Sequence, residues 1–194
     1  MLLFALLLAT PANLTHRTLP VLGVEGIPIG STTVLSKQLL LTNLHVTGGL
    51  KDIIVACGDD EMSAHVFAEN TALDLALAVL AKPCELAEPS DLAEGQADMG
   101  TEIWTVGYPF GELAVGRGVV SAYQMFSSEK EIPTFAARLT AIAWPGVSGG
   151  PVLNQQGKLV CIMFSRIIRT GEGACIPVQS IRRFLKAANE NIPE

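Results

Sequence analysis

Short apolar runs broken by polar turns recur along most of the chain. Residues 38–42 (Gln-Leu-Leu-Leu-Thr) and 52–56 (Asp-Ile-Ile-Val-Ala) are two of them. Residues 63–67 alternate polar and apolar positions, the pattern of a strand with one buried face. Residues 73–80 (Leu-Asp-Leu-Ala-Leu-Ala-Val-Leu) suit a helix by propensity. Their short length and bounding turn residues make them a buried strand instead. Similar runs cover residues 102–106, 118–122, 135–139, 159–164 and 174–178. The last segment changes period: Ile181, Phe184, Leu185 and Ala188 fall at i, i+3, i+4 and i+7, one face of a helix. Ser180 is placed to cap its start, and Pro193 lies just past its end. The pattern predicts an all-β fold of two small antiparallel barrels rather than a sandwich. The lobes occupy residues 18–83 and 99–178. A connection rich in Glu, Asp, Pro and Gly joins them over 84–98, and a helix over 179–190 closes the domain.

The start of the chain stands apart. Residues 2–9 are continuously apolar and are followed by Thr10-Pro11-Ala12. A helical membrane span needs about 20 such residues, so residues 1–12 read as a brief secretory signal with cleavage near Ala12. The alternative is an N-terminal strand or helix packed on the body. No other stretch approaches a membrane span. That reading places the protein in a secreted or periplasmic compartment.

Composition narrows the function classes. Apolar residues make up 49% of the 194-residue chain and charged residues 16%, which excludes a disordered chain. The net charge of −6 offers no basic surface, so nucleic acid is excluded as the main partner. Cys57, Cys84, Cys161 and Cys175 form no Cys-x-x-Cys pair and no metal-ligand spacing with His16, His45 and His65, so neither a metal nor another cofactor is predicted. Residues 159–164 and 174–178 look like the arms of a hairpin. A turn centred near Ile168 would set Cys161 directly opposite Cys175, within disulfide reach in an oxidising compartment.

The segment Trp144-Pro145-Gly146-Val147-Ser148-Gly149-Gly150-Pro151 carries the chemistry. Glycines around a serine allow a tight turn and close approach by another molecule. Such a turn can aim successive N–H groups at a negative oxygen while the hydroxyl attacks a carbonyl. Taken alone, it could be just a turn. A serine nucleophile needs a base, and His45, at the end of the run 39–44, is the natural one. His65 alternates with apolar neighbours and reads as a satisfied strand residue. Asp74 sits in a strongly apolar run, where an unpartnered carboxylate would be costly. It is either the acid that orients the base or a strand-end residue facing water.

The order His45, Asp74, Ser148 resembles that of chymotrypsin-type proteases, which also run His, Asp, Ser. Within that superfamily the chain is most similar to the HtrA/DegP-type trypsin-like peptidases. The likeness rests on residues 41–46 (Leu-Thr-Asn-Leu-His-Val), 74–76 (Asp-Leu-Ala), 106–111 (Val-Gly-Tyr-Pro-Phe-Gly), 145–151 and 173–178. It implies two six-stranded antiparallel β-barrels in a chymotrypsin-like arrangement, with a C-terminal helix. It also implies a serine endopeptidase with a Ser148–His45–Asp74 triad and an oxyanion hole from the N–H groups of Gly146 and Ser148. The pocket for the residue before the scissile bond would be built from Ile142, Trp144, Met163, Phe164 and Ser165. None of these is acidic, so an uncharged side chain is expected there and a protein or peptide is the expected partner. Val147 stands where related zymogens carry an Asp, which predicts no N-terminal ion-pair switch. The chain ends at Glu194, which predicts a protease domain without the PDZ module usual in that family. The rival functions are a non-catalytic binding protein on the same fold and a serine esterase.

Overall fold

The computed structural model describes residues 13–127 and 133–190. The predicted signal over 1–12 and the helix stop at Pro193 lie outside the described residues. Seven strands form the first lobe: β1 (Pro20–Leu22), β2 (Pro28–Ser31), β3 (Thr33–Val34), β4 (Leu39–Thr42), β5 (Asp52–Cys57), β6 (Asp60–Asn70) and β7 (Leu75–Leu80). They build one antiparallel sheet in the order β2-β1-β5-β6-β7-β4-β3. Its two edge strands are consecutive in sequence, separated by Thr32 alone, so the sheet must curl until its edges nearly meet. The first lobe is therefore a seven-stranded curled sheet, not the six-stranded closed barrel expected.

The second lobe does close. Strands β8 (Glu102–Gly107), β9 (Ala114–Ser127), β10 (Pro133–Ile142), β11 (Pro151–Asn154), β12 (Leu159–Arg166) and β13 (Glu172–Pro177) form a barrel in the order β10-β13-β12-β11-β8-β9. With the C-terminal helix, the architecture is the nearly all-β chymotrypsin-like one.

Alternation explains why these segments are strands. In β6, Met62, Ala64 and Val66 are buried while Ser63, His65 and Phe67 are exposed. His65 is a surface strand residue whose Nδ1 lies 3.0 Å from Asp52 across the β5–β6 pair. Residues 75–78 are buried without alternation because β7 is covered on both sides. Each lobe has its own core. A third apolar cluster joins them, with Leu41, Leu75 and Leu77 of the first lobe packed with Trp104, Leu153 and Ile162 of the second.

Two short helices matter for the site. The one-turn helix α1 (Leu44–Thr47) follows β4, and α2 (Val178–Glu190) closes the chain. Ile181, Phe184 and Ala188 of α2 are buried against the inter-lobe cluster. Ser180 is a buried residue inside α2, because the helix starts directly from β13 at Val178. It therefore does not cap the start.

Cys161 and Cys175 are joined by a disulfide, with a Cα–Cα distance of 5.6 Å. They are not directly opposite. The register pairs Cys161 with Pro177 and Met163 with Cys175, so the bridge runs diagonally between neighbouring strands. A second disulfide joins Cys57 at the end of β5 to Cys84 in the inter-lobe connection.

Candidate active site

His45 lies in α1, directly after the buried β4 strand, and Asp74 lies in the turn before β7. Strands β4 and β7 are hydrogen-bonded neighbours, with Thr42 opposite Ala76. That pairing brings residues 29 positions apart into contact. The Asp74 backbone is left-handed, with φ 55°, a conformation an Asp tolerates better than most residues. Its carbonyl accepts from Asn43 Nδ2 at 2.9 Å and from Leu44 N at 3.2 Å. Its carboxylate accepts from His45 N at 2.9 Å and faces His45 Nδ1 at 2.5 Å. Held at two points, the carboxylate fixes the ring and the Nδ1–H tautomer. Nε2 is then left as the basic nitrogen.

Ser148 lies in the turn before β11. Accounting for each backbone group there shows what the turn does. Trp144 O accepts from Val147 N at 3.2 Å, and Pro145 O from Phe110 N at 3.1 Å. Gly146 O accepts from Ser31 Oγ at 2.7 Å. Val147 O accepts from Gly150 N at 3.0 Å, and Ser148 O from Ser31 N at 2.8 Å. Gly149 O accepts from Thr33 Oγ1 at 2.9 Å. Gly149 N and Met163 N close the register to β12, donating to Met163 O and Gly150 O at 2.8 and 3.0 Å.

Within residues 145–150 the amides of Gly146 and Ser148 are the ones with no acceptor among the described residues. In a trans peptide the C=O and N–H point in opposite directions. Pinning Pro145 O and Val147 O therefore aims the next two N–H groups the other way. Gly146 has φ 100°, and a Cβ there would lie 2.2 Å from Tyr108 O, so a glycine is required.

The lobes meet at this turn through Ser31, which is fully buried. Its N and Oγ hold two carbonyls of the turn, its Oγ accepts from Tyr108 N at 3.0 Å, and its O accepts from Thr42 Oγ1 at 2.7 Å. A Cβ on Gly149 would come within 2.4 Å of Thr42 Oγ1, so the side chain of the strand that precedes His45 lies against the turn that carries Ser148. The structure closes the His45–Asp74 pair. Between the His45 ring and the Ser148 hydroxyl it shows no hydrogen bond among the described residues.

The five residues expected around the substrate differ in their surroundings. Trp144 is at the surface, 45% exposed, with its ring 5.5 Å from that of Phe110. Met163 is 1% exposed, so its side chain belongs to the barrel core, in the cluster on which Val147 packs, while its backbone bonds to the serine turn. Phe164 is half-buried against Phe126, and Ser165 is exposed. Ile142 ends β10, and its side chain lies outside the described residues. A cavity of about 310 Å³ lies behind the turn, bordered by Gly107, Pro109, Val115, Trp144 and Val147. Neighbouring Tyr108 is held above its usual pKa by burial.

Sequence reasoning missed Ser31, Thr33 and Thr42. The available signal was a run of small hydroxyl residues, Ser31-Thr32-Thr33, in a segment otherwise destined for burial.

Two β lobes meeting at a glycine-rich serine turn follow the plan of the chymotrypsin-like peptidases. The family model of the trypsin-like peptidase domain matches residues 30–162, and the chain belongs to that family. Its relatives are DegP/HtrA serine proteases. It is 34% identical over 152 residues to a probable periplasmic serine endoprotease, DegP-like, of Hahella chejuensis, covering 76% of this chain and 32% of that one. It is 29% identical over 191 residues to the magnetosome formation protease MamE of Paramagnetospirillum magneticum, covering 92% of this chain and 26% of that one. The chain thus spans about a quarter to a third of the length of these curated relatives. The Mycobacterium tuberculosis protease Rv3671c in its inactive form shares the fold, with a TM-score of 0.77 at 20% identity, over 90% of this chain and 89% of that one. The HtrA-type protease AlgW with a tripeptide gives a TM-score of 0.76 at 25% identity, over 89% of this chain and 60% of that one.

Proposed function

We propose that this domain is a serine endopeptidase in which His45, Asp74 and Ser148 form the triad. His45 Nε2 takes the Ser148 proton as Oγ bonds to the substrate carbonyl carbon. The same proton passes to the leaving amine as the C–N bond breaks, giving an acyl-enzyme that water then hydrolyses. The N–H groups of Gly146 and Ser148 hold the oxyanion. The observation that carries this reading is the backbone accounting at the serine turn, which leaves those two amides directed away from pinned carbonyls. Catalytic hydrogen bonds often tighten only when substrate binds, so a His45–Ser148 hydrogen bond is not required beforehand.

An uncharged side chain is preferred before the scissile bond. The acid closest in register to Ile142 is Glu172, and it is committed to Arg138, whose Nε donates to it at 2.9 Å. Val147 in place of a carboxylate means that activation involves no ion pair with a new N-terminus. Relatives named periplasmic and two disulfides support an oxidising compartment, secreted or periplasmic.

A fluorophosphonate probe should label Ser148, and casein should be cut by the wild type and not by Ser148→Ala. Labelling without casein cleavage favours an esterase. The absence of both favours a binding protein.

A further inference from the structure

The surface beside the serine turn carries a cation with no acidic partner among the described residues. Arg117 and Arg138 are paired with Glu102 and Glu172. Arg17 and Arg182 donate to backbone carbonyls, and Arg183 to Ser180 Oγ. Arg166 is different. It ends β12, it is exposed, and among the described residues its guanidinium meets no carboxylate or carbonyl. Its recorded contact is the face of Trp144, with Cζ 5.9 Å from the ring centroid.

That contact fixes where the charge sits. Trp144 precedes Pro145 and Gly146 in the serine turn. Arg166 follows Met163, which is hydrogen-bonded to Gly149 and Gly150, by three residues, roughly 10 Å of extended chain. Stacking on an aromatic face leaves the guanidinium N–H groups directed outward along the ring plane, open to a bidentate carboxylate. Arg169, in the same β12–β13 turn, is also exposed and also has no ion pair among the described residues. On a chain with a net charge of −6, this is a local cationic patch near the serine turn.

We infer that Arg166, laid on Trp144, selects substrates with an acidic side chain two to four residues before the scissile bond. The inference rests on the peptidase reading and adds a substrate class to it. The residues expected around the side chain next to the bond, Ile142, Trp144, Met163, Phe164 and Ser165, include no cation. Arg166 lies three residues beyond Met163, the β12 residue bonded to the serine turn, so its charge is within reach of a substrate chain seated at that turn.

The test uses fluorogenic peptides with an uncharged residue before the cut. Glu, Gln or Lys is placed at each of the three preceding positions in turn. For the wild type, kcat/KM should favour Glu over Gln by roughly fivefold to tenfold at one position or more, the scale of a partly exposed charge-assisted contact, and Lys should be worst. Arg166→Gln should level the series, and Arg166→Glu should reverse it. High salt should flatten the wild-type preference. Equal rates for Glu, Gln and Lys at all three positions in the wild type overturn the inference, as does a Glu preference that survives in Arg166→Glu. Failure of the peptidase reading looks different: no peptide is cut and the fluorophosphonate leaves Ser148 unlabelled.

Discussion

The Ser31 hydroxyl donates to the Gly146 carbonyl at 2.7 Å across the junction of the lobes. The same oxygen accepts from Tyr108 N, and the Ser31 amide holds Ser148 O. A strand of the first lobe thus clamps the turn that carries the nucleophile in the second.

Ser31→Ala should therefore slow catalysis without touching substrate. It leaves Gly146 O and Tyr108 N unpaired, and the turn gains freedom to rotate. We expect kcat to fall about tenfold to a hundredfold, less than the 10²–10³ typical for losing an oxyanion donor outright. KM should change little, because ground-state contacts remain. Steady-state kinetics with one peptide check this. A loss appearing wholly in KM would contradict the clamp.

Asp74→Asn should preserve the fold, since Asn also accepts the left-handed backbone at this position. It turns an acceptor facing His45 Nδ1 into a group that can hold the wrong tautomer. A decrease in kcat of about 10⁴-fold is expected. Circular dichroism should match the wild type.

Gly146→Ala tests the oxyanion turn directly. Its Cβ would meet Tyr108 O at 2.2 Å, on a backbone at φ 100°. The turn must shift, and the Gly146 N–H with it. Peptide turnover should fall about a hundredfold or more, with both lobes still folded by thermal melt.

The disulfides should contribute unequally. Cys57–Cys84 spans 27 positions and Cys161–Cys175 spans 14. Chain-entropy arguments give about 3–4 kcal/mol for the first and about 3 for the second. Urea unfolding of the two paired Cys→Ser variants measures both. Equal stability with and without reductant would show that neither bridge forms in solution.

Alkaline pH should destabilise the protein through its tyrosines. Burial is the main cause that pushes Tyr123 up to about 12, and its hydroxyl donates to Ala97 O at 2.6 Å. Burial also raises Tyr108. The folded state favours the protonated phenol, so this stability is complete below the unfolded value of 10. It is lost as pH rises from there through about 12. Absorbance at phenolate wavelengths should show both tyrosines titrating above 10 when folded and near 10 when denatured. A native titration near 10 would contradict the burial of these rings.

Much of this molecule was legible in its sequence because short-range physics wrote it there. The period-2 alternation of residues 63–67 follows from a sheet with one wet face, and the spacing of Ile181, Phe184 and Ala188 from a helix with one dry side. Gly146 and Gly149 announced a turn no other residue could make. His45, Asp74 and Ser148 stand out as candidates by residue type and neighbours, and by an order that resembles a known family's. Other features exist through contacts between distant segments. Thr32 alone separates the two edges of the first sheet, so that lobe curls with seven strands, a closure that no local pattern encodes. The diagonal Cys161–Cys175 register depends on a bulge between Met163 and Ser165. Ser31 looks like any polar strand residue until the second lobe docks on it, and Arg166 looks like a surface charge until Trp144 arrives beneath it. Periodicity records which face of a segment avoids water. Which partner lies on that face is decided when the lobes pack.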